Sequence, residues 1–365
     1  MDATCTKAGA RAARSSIVKT AHGVILLLDR FPQAAAPKTI APRQLMPVAN
    51  RPLVEHAAAA LRDAGAATIF VVTDALRRRL VRLALGGNRF EDIELRTTTG
   101  ASPIGELEAL RKVASEVKGD SIVLHRGDSL VSGALTSELG RFLKTSTEAS
   151  ILYFGADLLG GPSPQASDPN ATGGAAQPLG IEFLSPAMVE MLAGAEGTRL
   201  AGRHLVDRIF AAGEAGCSVE RRFIRNSWRL DETADNVLDG NRLALDDLAS
   251  DWHPDSLLRA RIEGRVKIHP SSRIEDALVR GPCVIGANVV IRHAYIGPYT
   301  SVGDGCLVEN AELEHSLILN DAIIRDIGWR LEHSLVGARA HLSRDFRVPK
   351  AVHLQVGDDA RISVS

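Results

Sequence analysis

Three groups of polar residues stand where an open α/β sheet does its chemistry. Residues 29–44, Thr73-Asp74 and Gly127-Asp128 each follow a short apolar, strand-like run. Ligands of such sheets bind outside the carboxyl ends of the strands, so the three groups frame one cleft. Asp128 offers a carboxylate at a strand end, suited to anchoring a divalent cation. The alternative is a carboxylate that caps a loop or helix. Gln44 offers an amide, which suits a partner edge carrying both a donor and an acceptor. Arg43 beside it adds a fixed positive charge.

The elements that must position these groups alternate along residues 22–250, as in an α/β domain. Strands are expected at 23–28, 68–73, 121–124 and 150–154. Between the first two, Leu53, Val54, Ala57, Leu61 and Ala64 recur at helical spacing, and Gly65 ends the helix. A second helix is expected over 103–117, with Ile104, Leu107, Leu110 and Val113 on one side. Residues 157–178, rich in Gly, Pro, Ala, Ser and Asn, read as a loop. Residues 1–21, Ala-rich and basic without an apolar signal core, read as a disordered extension, with a docking arm or targeting segment as the alternative.

From residue 251 a second domain runs to 365, and near Ile262 its texture becomes a short repeat. Leu278, Val284, Val290, Ile296, Val302 and Val308 fall at intervals of six, with glycines interspersed. That period indicates a left-handed parallel β-helix, three hexapeptides to a triangular coil. The run Leu-Glu-His-Ser-Leu at 313–317 returns at 331–335, an offset of 18, or one coil. His293, His315 and His333 lie in this repeat. A general-base role is one reading; solvated histidines on the rim are the preferred one.

Composition sets outer bounds. The 365 residues suffice for two domains, and 45% hydrophobic with 24% charged residues is ordinary for a globular protein. A net charge of −1 argues against nucleic acid or an anionic membrane as partner. Four scattered cysteines, with no Cys-x-x-Cys pair, indicate a reducing cytoplasm. No apolar stretch approaches the roughly 18 residues of a membrane span.

One segment resembles a known signature. Pro42-Arg43-Gln44-Leu45-Met46-Pro47-Val48, with Arg51-Pro52, follows the first strand as the P-K-Q-L-x-P-V-x-x-K-P segment does in sugar-1-phosphate nucleotidylyltransferases, above all the long glucose-1-phosphate thymidylyltransferases. Gly127-Asp128-Ser129-Leu130 resembles their G-D-[NS]-L turn, and Trp228-Arg229-Leu230-Asp231 their W-x-x-D segment. Residues 296–305 and 356–359 resemble their β-helical tail. The resemblance implies a Rossmann-like, GT-A-like nucleotidyltransferase domain followed by the β-helix. It implies a nucleoside triphosphate and a sugar 1-phosphate as substrates, with Mg²⁺ held by Asp128 and Asp231. Gln44 and Gly105 would contact the base, Arg43 would supply catalytic charge, and Gly180, in the Gly180-Ile181-Glu182-Phe183 strand, would lie at the sugar. The β-helix implies a homo-oligomer, or a hetero-oligomer with an active paralogue.

Several positions depart from that pattern. In the loop after the first strand, Asp29 and Phe31 stand where the family has glycines, Pro32 replaces a threonine and Gln33 an arginine. Glycines there let backbone N–H groups approach a triphosphate, and the arginine neutralises the leaving pyrophosphate. No lysine occurs between Lys144 and Lys267, so the family's sugar-phosphate lysine is missing. Ala201 and His204 replace its acidic pair, with Arg199 or Arg203 as candidates for the lost charge. Glu106 and Glu108 follow Gly105, where the family has small residues. Two functions therefore stay open: nucleotidyl transfer on an altered substrate, or a catalytically inactive relative acting as a sensor or partner subunit.

Overall fold

The structure, a computed structural model, describes residues 21–27, 43–66, 68–74, 78–86, 90, 94–100, 105–117, 119–155, 177–200, 202, 204–231 and 233–344. The readings made above for residues 1–20, 29–42, 102–104, 157–176, 201, 203 and 356–359 lie outside them. The described residues form two compact units. One comprises 21–27 with 52–229, the other 43–51 with 230–344. The texture of the sequence suggested a boundary at 250; the helix Ala234–Asp246 groups with the residues of the second compact unit.

The first unit is built on a seven-stranded sheet. In spatial order its strands are Val219–Ile224, Ala149–Phe154, Pro178–Leu184, Ser121–His125, Ala21–Leu27, Thr68–Asp74 and Glu94–Gly100. All pairings are parallel except the two made by Pro178–Leu184, which runs antiparallel to both its neighbours. Strands covered on both faces read as unbroken apolar runs, and Val24–Leu27 and Ser121–His125 are buried throughout. The helix Leu53–Asp63 buries Leu53, Val54, Ala57 and Leu61, and Gly65 takes φ +95° just beyond it. The helix expected over 103–117 spans Glu106–Ala114, with Ala109, Leu110 and Val113 in the core.

The second unit contains the β-helix. Three parallel sheets, of six, five and five strands, each pair a strand with the one three strands later. This is the triangular, left-handed coil that a hexapeptide period dictates. Ile274, Ile291, Val308 and Ile324 stack in register inside it. The phase differs from the simple six-residue count. Leu278 pairs with Tyr295 and Tyr295 with Glu312, offsets of 17, so these coils are a residue short of eighteen. Val279 and Ile291 therefore point inward, where 278 and 290 were expected, and Val284 faces outward. The repeat at 313 and 331 does pair at an offset of 18.

Corner residues take left-handed backbone, among them Asp276, His293, Asn310, His315 and His333. The histidines are thus turn residues, and the His315 ring lies 5.1 Å from that of Tyr299. One face of the prism departs from the rest. Its outward residues Val284, Ser301 and Leu317 stand in register and are buried. Ala49 and Leu245 pack with Val284 in one cluster, with Ala244, Leu248 and Tyr299 against it.

Candidate functional site

In the first unit the site is built at the carboxyl end of Ser121–His125. Gly127, at φ +72°, turns the chain there, and the His125 Nδ1 accepts the Gly127 N–H at 2.9 Å. The chain then enters the short strand Ser129–Val131, which pairs antiparallel with Ser227–Arg229, setting Ser129 opposite Arg229. That register delivers the Arg229 guanidinium to Asp128. Nε and Nη2 donate to Asp128 Oδ2 at 3.2 and 3.0 Å, and Nη1 donates to the Pro178 carbonyl at 2.7 Å. Gly180 lies beside them at φ +76°. A Cβ there would sit 3.4 Å from Asp128 Oδ1 and 3.3 Å from Arg126 Cδ. Asp128 and Gly180, assigned to metal and sugar from the sequence, are therefore neighbours.

Two buried charges that the sequence reading passed over complete this region. Arg126, which is 4% exposed, donates from Nε to Glu106 Oε1 at 3.0 Å and also pairs with the fully buried Glu182. Burial opposes its charge, but Glu182 and Glu106 outweigh that and hold its pKa above the ordinary arginine value. Glu106 Oε2 accepts the Leu205 N–H at 2.7 Å, at the start of the helix Leu205–Glu214. The acidic pair after Gly105 is thus absorbed internally: Glu106 by Arg126, Glu108 by Lys112 at 3.6 Å on the surface. Gly105 itself is exposed at the N-terminus of its helix, with open space where a Cβ would stand. His204 heads the Leu205–Glu214 helix, its N–H donating to Asp207 Oδ2 at 3.0 Å.

His125 is buried, and burial, helped by Arg126 and Arg229 against the pull of Asp128, brings its pKa down to about 4. It is a neutral imidazole at pH 7. Thr73 Oγ1, His125 Nε2, Asp128 Oδ1, Ser129 Oγ and Glu182 Oε2 are buried and find no partner among the described residues. Leaving one such atom unpaired costs about 1–3 kcal/mol. A cluster of them beside one sheet end is the signature of a place that expects water or ligand.

The second unit holds Arg43, Gln44 and Asp231. Residues Arg43–Leu45 form a single 3-10 turn with Gln44 buried, and the Arg43 guanidinium donates to the Leu230 carbonyl. Asp231 braces Thr233, the N-cap of the helix Ala234–Asp246. Its Oδ1 accepts the Thr233 N–H and hydroxyl, both at 2.7 Å, while Thr233 in turn caps Asn236. The two aspartates expected to share Mg²⁺ thus belong to different units, each engaged within its own. Among the described residues no group of three or more His, Cys, Asp or Glu side chains is placed to hold a metal ion. As built, the donor set does not fit Mg²⁺: an arginine occupies one oxygen of Asp128, and Asp231 serves a helix cap.

Arg229 was within reach of sequence reasoning, since it lies inside the Trp228–Asp231 segment. Its role depends on the pairing of Ser129 with Arg229 across 100 residues of chain, which no local pattern reveals. His125 and Arg126 directly precede the Gly-Asp turn, and two polar residues ending a buried strand were the available signal.

The two units are thus an open α/β sheet with a Gly-Asp turn at its carboxyl edge and a parallel β-helix. No protein-family model matches the chain. The chain is 26% identical to a glucose-1-phosphate thymidylyltransferase of Streptomyces griseus over 341 residues, covering 88% of this chain and 94% of that protein. It is 24% identical to a glucose-1-phosphate thymidylyltransferase of Streptomyces antibioticus, with 88% and 93% covered. It is 26% identical to the low-salt glycan biosynthesis nucleotidyltransferase Agl11 of Haloferax volcanii, with 88% and 94% covered. The chain is thus similar to these proteins over most of its own length and of theirs.

Proposed function

We propose that this protein is a sugar-1-phosphate nucleotidylyltransferase, joining a nucleoside triphosphate and a sugar 1-phosphate into a nucleotide sugar and pyrophosphate. An oxygen of the sugar phosphate bonds to the α-phosphorus, the bond to the α–β bridging oxygen breaks, and pyrophosphate leaves with the electron pair. End-to-end similarity to three sugar nucleotidyltransferases supports this reading. The observation that carries it in the structure is the cluster of unpaired buried polar atoms around Asp128, beside Gly180. Gln44 is proposed to read the base and Arg43 to supply charge, with Gly105 leaving room for a ligand at its helix end.

The resemblance implies Mg²⁺ on Asp128 and Asp231. The ion pair with Arg229 stands against that placement, and no step is assigned to a metal here. The second reading, an inactive relative that binds nucleotide or sugar as a sensor or partner subunit, is not favoured by the similarity to the three transferases. No described helix is long and apolar enough to cross a membrane. Cys217, Cys283 and Cys306 are free thiols, which supports a reducing cytoplasm. Assembly through the β-helix into a homo-oligomer belongs to the same proposal. A screen of pyrophosphate release across nucleoside triphosphates and sugar 1-phosphates tests the activity; pair-dependent release supports it, and silence across the panel removes it.

A further inference from the structure

The segment that carries Arg43 and Gln44 ends in a two-residue turn between the short strands Pro47–Val48 and Arg51–Pro52. Ala49 and Asn50 both adopt left-handed backbone, at φ +47° and +59°, as hairpin turns of this length favour. Asn suits that conformation, whereas Ala49 carries the steric cost of its Cβ. Hydrogen bonds from both residues fix the turn in place. The Ala49 N–H donates to Asn241 Oδ1 at 2.9 Å, and Asn50 Nδ2 donates to the Val302 carbonyl at 2.6 Å.

Asn241, on the helix Ala234–Asp246, is 1% exposed and ties three elements together. Besides the Ala49 N–H, its Oδ1 accepts the Ser301 hydroxyl at 2.7 Å, and its Nδ2 donates to the Tyr299 carbonyl at 3.1 Å. Oδ1 thus accepts twice and Nδ2 donates once, which orients the amide without ambiguity. The β-helix is shaped for this contact. Thr300, Ser301 and Val302 are all buried, although the middle residue of such a strand points out of the prism. Val284, one coil away on the same face, packs with Ala49 and Leu245.

We propose that Asn241 is a positioning residue that locks the Arg43–Val48 segment onto the β-helix. The segment is held at both ends: Arg43 on the Leu230 carbonyl, and the 49–50 turn on Asn241 and Val302. Gln44 lies between these anchors, so the coil at 299–302 is part of the apparatus that presents it. The consequence for ligand binding rests on the reading above, in which Gln44 contacts the nucleotide base. The clamp itself does not.

The experiment compares full-length wild type, Asn241→Ala and Asn50→Gly by amide hydrogen exchange. Calorimetric titrations with dTTP and with glucose 1-phosphate run alongside. Asn50→Gly keeps a turn that favours left-handed backbone but deletes the tie to Val302, so it serves if Asn241→Ala fails to fold. Both variants are expected to speed exchange across 43–51 by roughly tenfold or more, the effect of losing about one hydrogen bond. Exchange of the coil at 290–296 should stay as in wild type. Weaker dTTP binding, with glucose 1-phosphate affinity unmoved, is the expected companion. Faster exchange with unchanged dTTP affinity keeps the clamp and removes the nucleotide role of Gln44. Unchanged exchange across 43–51 in a folded variant overturns the inference.

Discussion

Asp128 illustrates how one neighbour changes what a motif means. The Gly127-Asp128 turn is a full match to a metal-binding turn in sequence, and it lies where such a turn should, at the carboxyl end of a buried strand. Yet Arg229 already neutralises its Oδ2. The ligand-free protein is expected to leave the electron paramagnetic resonance signal of free Mn²⁺ undiminished. Loss of that signal, reversed by Asp128→Asn, would contradict the pairing. His125 supplies a second test at this scale. Its folded pKa, about 4, lies below the ordinary 6.5, so the unfolded chain binds the extra proton between those values. The stability that a neutral, buried His125 contributes is full above pH 6.5 and is lost as pH falls towards 4, by about 3 kcal/mol. Asn accepts the Gly127 N–H without titrating, so urea denaturation of His125→Asn should show a flatter pH slope over that window. An unchanged slope would contradict the assignment.

Between elements, buried charge replaces apolar packing at one junction. Arg126 links the end of Ser121–His125 to Glu182 on the antiparallel strand and to Glu106 on the helix Glu106–Ala114. Removing one partner of a buried pair strands the others, at about 3–5 kcal/mol, whereas replacing both with apolar groups is often close to neutral. Arg126→Met alone should therefore destabilise by that amount, and adding Glu182→Leu should recover part of it, since Glu106 is still left without its arginine. Additive losses in chemical denaturation would show that the pair is not coupled. Elements of this kind were legible in unequal measure. The strand runs and the helix after Leu53 could be read directly, because periodicity is a local property. The β-helix was legible from its period, but its phase was not: the coil is 17 residues where Leu278 meets Tyr295, and a missing corner residue leaves no mark on a count of aliphatics. The Asp128–Arg229 and Arg126–Glu182 pairs were hidden because each depends on antiparallel register between distant segments.

At the scale of the molecule, the β-helix has two kinds of surface. One face is covered by the helix Ala234–Asp246 and the 49–50 turn, which explains outward-facing Val284 and Ser301 in an otherwise polar exterior. The last described coils offer something else. Ile324 is spent in the core, while Trp329 is 61% exposed. An exposed aromatic in the last described coils of a solenoid is suited to pairing with a second copy. Light scattering is expected to report a homo-oligomer that Trp329→Glu reduces in size; a full-length monomer at micromolar concentration would contradict this.

The central claim concerns turnover. Losing one preorganised charge from such a transition state costs about a hundredfold to a thousandfold in rate; on the proposed reading Gln33 would stand where an arginine is expected, and no lysine between Lys144 and Lys267 is there to hold the sugar phosphate. The losses act on one unit and do not simply add. The most direct measurement is nucleotide-sugar formation, with its pyrophosphate, by the purified full-length protein across a panel of nucleoside triphosphates and sugar 1-phosphates. The account predicts product with at least one pair, and with dTTP and glucose 1-phosphate a rate at least roughly a thousandfold below that of an active thymidylyltransferase. No product with any pair would contradict the transferase reading, and turnover matching an active thymidylyltransferase would contradict the weakened site.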